Sequence, residues 1–309
     1  MKRSIVLSLL LATGAASIAV AAQQAPAPRV VEVEKIKDNL YVLRGGGGNS
    51  AVFITSTGVV VVDAKNPGWG QPLLDKIKEL TNKPITTLIN THTHGDHVSG
   101  NVEFPPGVQI IAHETTKTRM EKMLPNSANQ NQTVPAQTIF QANNGRGMPT
   151  RTFKDKLTLF SGADQVEIYF FGIGNTDGDA WVYFPTLRVA VTGDVFGAKN
   201  IPLLDSNNGG SAIAMVPTIQ KAYDQFKNVD TIITGHGPQV TAADLKDFVE
   251  LNREFLTDMR AAKQAGKTVD EVAASWKIPA KYTGYGAADP NRLKSNIRLA
   301  FAELDRERR

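Results

Sequence analysis

The 309-residue chain has no cysteine. Disulfides, thiolate nucleophiles and thiolate metal ligands are therefore excluded, as is a lipid anchor on an N-terminal cysteine. Charge of one sign is also missing: 34 Lys and Arg face 30 Asp and Glu, and the basic residues are scattered. No basic patch of the kind that binds nucleic acid is expected. No apolar run reaches the roughly 20 residues of a membrane span without interruption. Histidine is scarce, with only five in the chain, and three of these fall within one six-residue stretch.

The N-terminus carries a targeting pattern. Lys2 and Arg3 precede the apolar "SIVLSLLLATGAASIAVAA", broken by Thr13, Gly14 and Ser17, and Ala19-Val20-Ala21 and Val20-Ala21-Ala22 both fit a small-x-small cleavage site. Residues 1–22 are expected to be a signal peptide, cleaved after Ala21 or Ala22, leaving a periplasmic or secreted protein with no stable membrane anchor. Residues 23–309 are expected to form one domain ending in a helical segment.

The mature chain shows two β-rich halves, each followed by helices. "VVEVEKI", "LYVLRG", "SAVFIT", "GVVVVDA", "ITTLIN" and "VQIIA" are short β-branched runs that predict strands in the first half. "KLTLF", "QVEIYFFG", "AWVYFP", "LRVAVTGDV" and "VDTIITGHG" do so in the second. Helical spacing appears over about 72–81, 213–226, 242–264, 269–276 and 291–306, and "HETTKTRMEKML" is a further helix. This plan predicts an α/β (α+β) fold of two packed sheets with helices outside. Residues 125–149, rich in Asn, Gln, Gly and Pro, form a long loop, read equally as a binding-site wall or a surface insertion. "RGGGGNS" lacks the Gly-Lys-Ser/Thr ending of a phosphate loop and reads as a flexible turn between strands.

The histidine-dense stretch is "NTHTHGDHVSGN", holding His92, His94, Asp96 and His97 after a buried strand. Side chains two apart on an extended segment share a side, so His92 and His94 can face one point; Gly95 permits a turn into Asp96 and His97. Imidazole and carboxylate without thiolate suit Zn(II), and also Fe or Mn. Asp194 in "VTGDVF" and His236 in "TGHGP" also follow apolar strands and complete the candidate ligands. His113 opens a helix and is read as structural.

"HTHGDH", then "GNTDGDAWVYFP", "VTGD" and "TGHG", resembles the metallo-β-lactamase-fold hydrolase superfamily, with matching motifs from Asp63 to His236. The resemblance implies a four-layer αββα sandwich with one or two Zn ions per chain at an edge of the sheets. It implies a first metal site with His92 and His94, a second with Asp96, His97 and His236, and Asp194 bridging them. Asp96 and Asp194 are the candidates to orient the attacking water. An Asp at the bridge is similar to the glyoxalase-II and lactonase branches, although β-lactam hydrolysis stays open.

In one place the chain departs from the pattern. The third histidine of the first site is replaced by Asn175, a neutral and weaker ligand, with Asp177 as a possible substitute. Two readings follow: an exported hydrolase acting on a small ester, thioester, lactone or amide, or a catalytically impaired metal- or ligand-binding protein of the same fold. Trp69, Asn207 and Asn208 are weak substrate-binding candidates, and Arg146 a weaker one. No basic cluster points to glutathione.

Overall fold

The computed structural model describes residues 29–129 and 133–307; the expected signal peptide lies outside them. The first sheet runs in chain order, β1 (Glu32–Lys37), β2 (Leu40–Arg44), β3 (Ser50–Ile54), β4 (Val59–Val62), β5 (Ile85–Ile89), β6 (Gln109–His113) and β7 (Arg151–Phe153). Its first four strands are antiparallel neighbours, and β4 to β7 are parallel. The second sheet comprises β8 (Lys156–Leu159), β9 (Val166–Phe170), β10 (Ala180–Phe184), β11 (Val189–Val191) and β12 (Thr231–Ile233), with β12 beside and parallel to β11.

The helices are α1 (Gly70–Leu80), α2 (Gly95–Val98), α3 (Glu114–Met120), α4 (Ile139–Ala142), α5 (Ala212–Phe226), α6 (Ala242–Gln264), α7 (Val269–Ser275) and α8 (Pro290–Glu307).

Four consecutive valines explain how β4 joins two layers. Val60 and Val62 face the second sheet, where Val182, Phe184 and Val189 meet them, and Phe53 and Phe184 lie 4.9 Å apart between ring centres. Val59 and Val61 point the other way, onto Leu73 and Ile77 of α1. A strand buried on both faces reads as a continuous apolar run. The outer face of the second sheet buries Trp181, Ala190 and Ile232 under α5, α6 and α8, through Met215, Phe248 and Ile297. The result is the expected αββα sandwich.

Two elements depart from the sequence reading. β7 follows the stretch expected to be loop and is not among the expected strands; it is three residues long and pairs with β6, too short to show a period. α4 sits inside the same stretch, started by a reciprocal cap between Thr138 and Gln141. Among the described residues, no helix is long and apolar enough to cross a membrane.

Candidate metal centre

The loops after β4, β5, β11 and β12 converge at one edge of the sandwich. They bring together two groups of ligating side chains, His92 with His94 and Asp194, and Asp96 with His97 and His236. In the first, His92 Nε2 and His94 Nδ1 are 3.0 Å apart, and Asp194 Oδ2 is 3.8 and 4.0 Å from them. In the second, His236 Nε2 lies 3.3 Å from both His97 Nε2 and Asp96 Oδ2, and His97 Nε2 lies 3.6 Å from Asp96 Oδ2. Asp194 Oδ1 is 3.3 Å from His97 Nε2 and 3.1 Å from His236 Nε2. Asp194 thus presents one oxygen to each group. Donors about 2.0–2.2 Å from a tetrahedral ion stand roughly 3.3–3.6 Å apart; the second group matches that spacing, and the first brackets it, from 3.0 to 4.0 Å.

The tautomers follow from the surrounding hydrogen bonds. His94 Nε2 donates to Asp205 Oδ2 at 2.8 Å, which leaves Nδ1 bare. His97 Nδ1 donates to Asp63 Oδ2 at 2.7 Å, which leaves Nε2 bare. The Thr91 hydroxyl donates to Asp63 Oδ2 at 2.7 Å, so it accepts from His92 Nδ1 at 2.9 Å and leaves His92 Nε2 bare. Each bare nitrogen is the one that faces the other ligating atoms of its group. Partners behind the ligands hold each ring in the form a metal needs.

Without a cation this arrangement retains protons. Burial opposes protonation of His94, but hydrogen bonds to Asp194 and Asp205 outweigh it and raise its pKa to about 9. His97 is likewise raised against burial by Asp194, Asp96 and Asp63. Burial pushes His92 down, and the adjacent His97 and His94 push it further. Burial would raise Asp194, yet His236 and His97 hold it well below the usual carboxylate range. A bound cation takes the place of those protons.

Asn175 lies in the turn between β9 and β10, fully buried. Its Nδ2 donates to Leu203 O at 2.6 Å, and its Oδ1 is buried without a partner. An orphaned buried oxygen is costly, and a cation would satisfy it. Asp177 is committed elsewhere, paired with Arg119 of α3. His113 caps α3 through Thr115 and stacks on Phe170 at 4.1 Å, a packing role.

All four residues offered for substrate binding make contacts within the fold. The Trp69 ring covers Gly46, where a Cβ would fall 2.0 Å from the indole, and it joins the core beneath α1. Asn207 Nδ2 donates to Pro125 O at 2.9 Å, and Asn208 Nδ2 donates to Leu124 O at 3.2 Å and Asp205 Oδ2 at 2.7 Å. Through Pro125 O and Leu124 O these amides tie down the 124–125 segment. Arg146 donates to Phe104 O at 2.9 Å.

The glycine run between β2 and β3 is part of the centre, which corrects its reading as a flexible turn. Gly48 N donates to Asp96 O at 3.1 Å, and a Cβ on Gly48 would fall 2.2 Å from His97 Cε1. Only glycine lets the backbone approach the ring so closely. Asn49 Nδ2 donates to Thr234 O and Gly237 O, both at 2.9 Å, tying this loop to the one that carries His236. Sequence reasoning missed Asp63, Asp205 and Lys65. Lys65 is fully buried, with Nζ 2.6 Å from both Leu43 O and Gly48 O. For Asp63 a signal existed: a carboxylate directly after four buried valines has no apolar reason to be there.

Beside the two groups lies a cleft of about 470 Å³, walled by residues of 123–129 and 133–139 and floored by Thr93, His94 and Asp96. Of the two readings of 125–149, a binding-site wall fits this position.

Comparison with known proteins agrees with this architecture. The chain is 26% identical over 270 residues to the type 2 metallo-beta-lactamase of Elizabethkingia meningoseptica, covering 82% of this chain and 97% of that one. The metallo-beta-lactamase structure from Pontibacter korlensis superposes with a TM-score of 0.58 at 23% identity, over 72% of this chain and 99% of that one. The stereoselective inverting sec-alkylsulfatase Pisa1 from Pseudomonas sp. superposes with a TM-score of 0.67 at 17% identity, over 89% of this chain and 50% of that one. The metallo-beta-lactamase superfamily profile matches residues 43–236, a span that begins at the end of β2 and closes on His236. With the αββα layers and both ligand groups inside that span, the chain belongs to the metallo-beta-lactamase superfamily.

Proposed function

We propose that the protein is an exported metal-dependent hydrolase, holding one or two Zn ions, that cleaves an ester, thioester, lactone or amide, with β-lactams included in the amide class. The observation that carries this reading is the set of three inward bare imidazole nitrogens, each fixed from behind by Thr91, Asp205 or Asp63, around a shared Asp194. Fe or Mn suits the same nitrogen and oxygen donors. Export rests on the basic, apolar and small-residue order of residues 1–22.

In this reading His92, His94 and Asp194 would hold one cation, and Asp96, His97 and His236, with Asp194, would hold a second. A divalent ion there supplies Lewis acidity and a nucleophile at neutral pH. Asp96 or Asp194 orients the attacking water and accepts its proton. Oxygen from water bonds to the acyl carbon, the bond to the leaving oxygen, sulfur or nitrogen breaks, and the leaving group takes up a proton. The products are a carboxylate and an alcohol, thiol or amine.

Asn175 favours a second reading, a binding protein of the same fold with impaired catalysis, because its amide nitrogen is tied to Leu203 O and only a neutral oxygen remains. Elemental analysis of the purified protein, followed by turnover assays with nitrocefin, a thioester and a lactone, separates the two. Metal with turnover of any substrate supports the hydrolase; no metal and no turnover removes it.

A further inference from the structure

The wall of the cleft narrows the substrate class, an inference that rests on the hydrolase reading above. The charged residues lining it are His94 and Asp96, which belong to the metal centre. The rest of the lining is neutral. Met123, Leu124, Pro125, Pro135 and Ile139 give it an apolar side. Two nearby guanidinium groups are committed: Arg119 to Asp177, and Arg146 to Phe104 O. Lys65 is buried behind the glycine run, bonded to two carbonyls.

One buried polar side chain among the lining residues has no partner. Thr93, which stands between two ligand histidines, is 3% exposed, and its hydroxyl makes no hydrogen bond. A buried hydroxyl of this kind gains from a neutral acceptor such as a substrate carbonyl or ether oxygen. An anionic group on an arm laid against this wall loses hydration and meets no cationic side chain among the described lining residues.

We propose that this cleft takes an uncharged acyl substrate, an ester, thioester or lactone with an aliphatic arm, and discriminates against the same substrate carrying a carboxylate on that arm. The apolar wall receives the arm, and Thr93 donates to a neutral oxygen.

The test is a matched pair, 4-nitrophenyl butyrate and 4-nitrophenyl hemisuccinate, assayed with the zinc-loaded protein. Both have a four-carbon acyl group and the same leaving group, and they differ in a terminal methyl or carboxylate. The expected result is a kcat/KM for butyrate at least about tenfold higher, the usual scale on which pocket contacts discriminate. Asn129→Lys, which adds a cation to the exposed wall, is expected to narrow that ratio. Equal or faster hydrolysis of the hemisuccinate overturns the proposal and leaves the hydrolase reading standing. Turnover of nitrocefin, itself a carboxylate, with none of the butyrate has the same meaning. No turnover of any substrate by metal-loaded protein removes both.

Discussion

Asn175 Nδ2 and Leu203 O are joined by a 2.6 Å hydrogen bond, which orients the amide and leaves its buried Oδ1 without a partner. The family pattern puts an imidazole at this position. A histidine is a stronger ligand than an amide oxygen for the metals these donors suit. Asn175→His is therefore expected to raise metal content toward two ions per chain, measured by elemental analysis. A stoichiometry that does not move would show that position 175 is not a ligand position.

Asp63 works through His97. Replacing Asp63 with Asn keeps the shape but can place an N–H against His97 Nδ1, forcing that proton onto Nε2, where the second group needs a bare nitrogen. Substitutions behind a metal ligand commonly cost 10–100-fold in affinity. Asp63→Asn is expected to weaken the second site by about that factor in competition with a chromophoric chelator, and unchanged affinity would refute the role given to Asp63.

Removing a ligand itself should do more. Asp96→Ala and His236→Ala are each expected to lose the second metal and about a hundredfold or more in kcat, since Lewis-acid stabilisation amounts to several kcal/mol. Wild-type kinetics in either variant would contradict the assignment.

Much of this was legible in the sequence because local pattern and chemistry coincide there. The valines at 59–62 announce a doubly buried strand, and α6 spans the expected 242–264. His92, His94, Asp96 and His97 are neighbours in sequence, so their meeting needs no knowledge of the fold. Asp205 was not legible, because its contact with His94 spans 111 positions. Gly48 was misread for a similar reason: the ring it must clear belongs to another strand connection, and a glycine run alone looks like slack. The amides of Asn207 and Asn208 have the chemistry of substrate contacts, and their hydrogen bonds to Pro125 O and Leu124 O cross more than 80 positions, beyond the reach of local pattern.

Lys65 gives a pH signature. Burial lowers its pKa from 10.5 to about 7, against the opposing pull of Asp63. Below about pH 7 both folded and unfolded chains carry the proton, and the folded one bears the cost of a buried charge. Between about 7 and 10.5 the unfolded chain binds more protons, so stability rises with pH. In urea unfolding of the metal-loaded protein, the wild type is expected to gain stability relative to Lys65→Met from pH 7 to 9.5. A difference that stays level over that range would rule this out.

Chelation should unfold the protein more easily. The centre crowds imidazoles and carboxylates that a cation would neutralise. An ion present at a thousandfold its dissociation constant stabilises by about 4 kcal/mol, on the order of 10 °C for a chain of this size. Treatment with a strong chelator is expected to lower Tm by that order, and readdition of zinc to restore it. A Tm indifferent to both would mean that no structural cation is held.

The stitch between Asn49 and Gly237 crosses 188 positions of chain, and the contact between His97 and His236 crosses 139. Neither can form until both sheets exist and have docked, so a finished coordination sphere is a late product of folding. An ion captured there acts as a latch on a closed door: it leaves the rate of refolding almost unchanged and slows the rate of opening. In a metal-poor environment the same chain would then be expected to reach the same shape and to keep it for a shorter time.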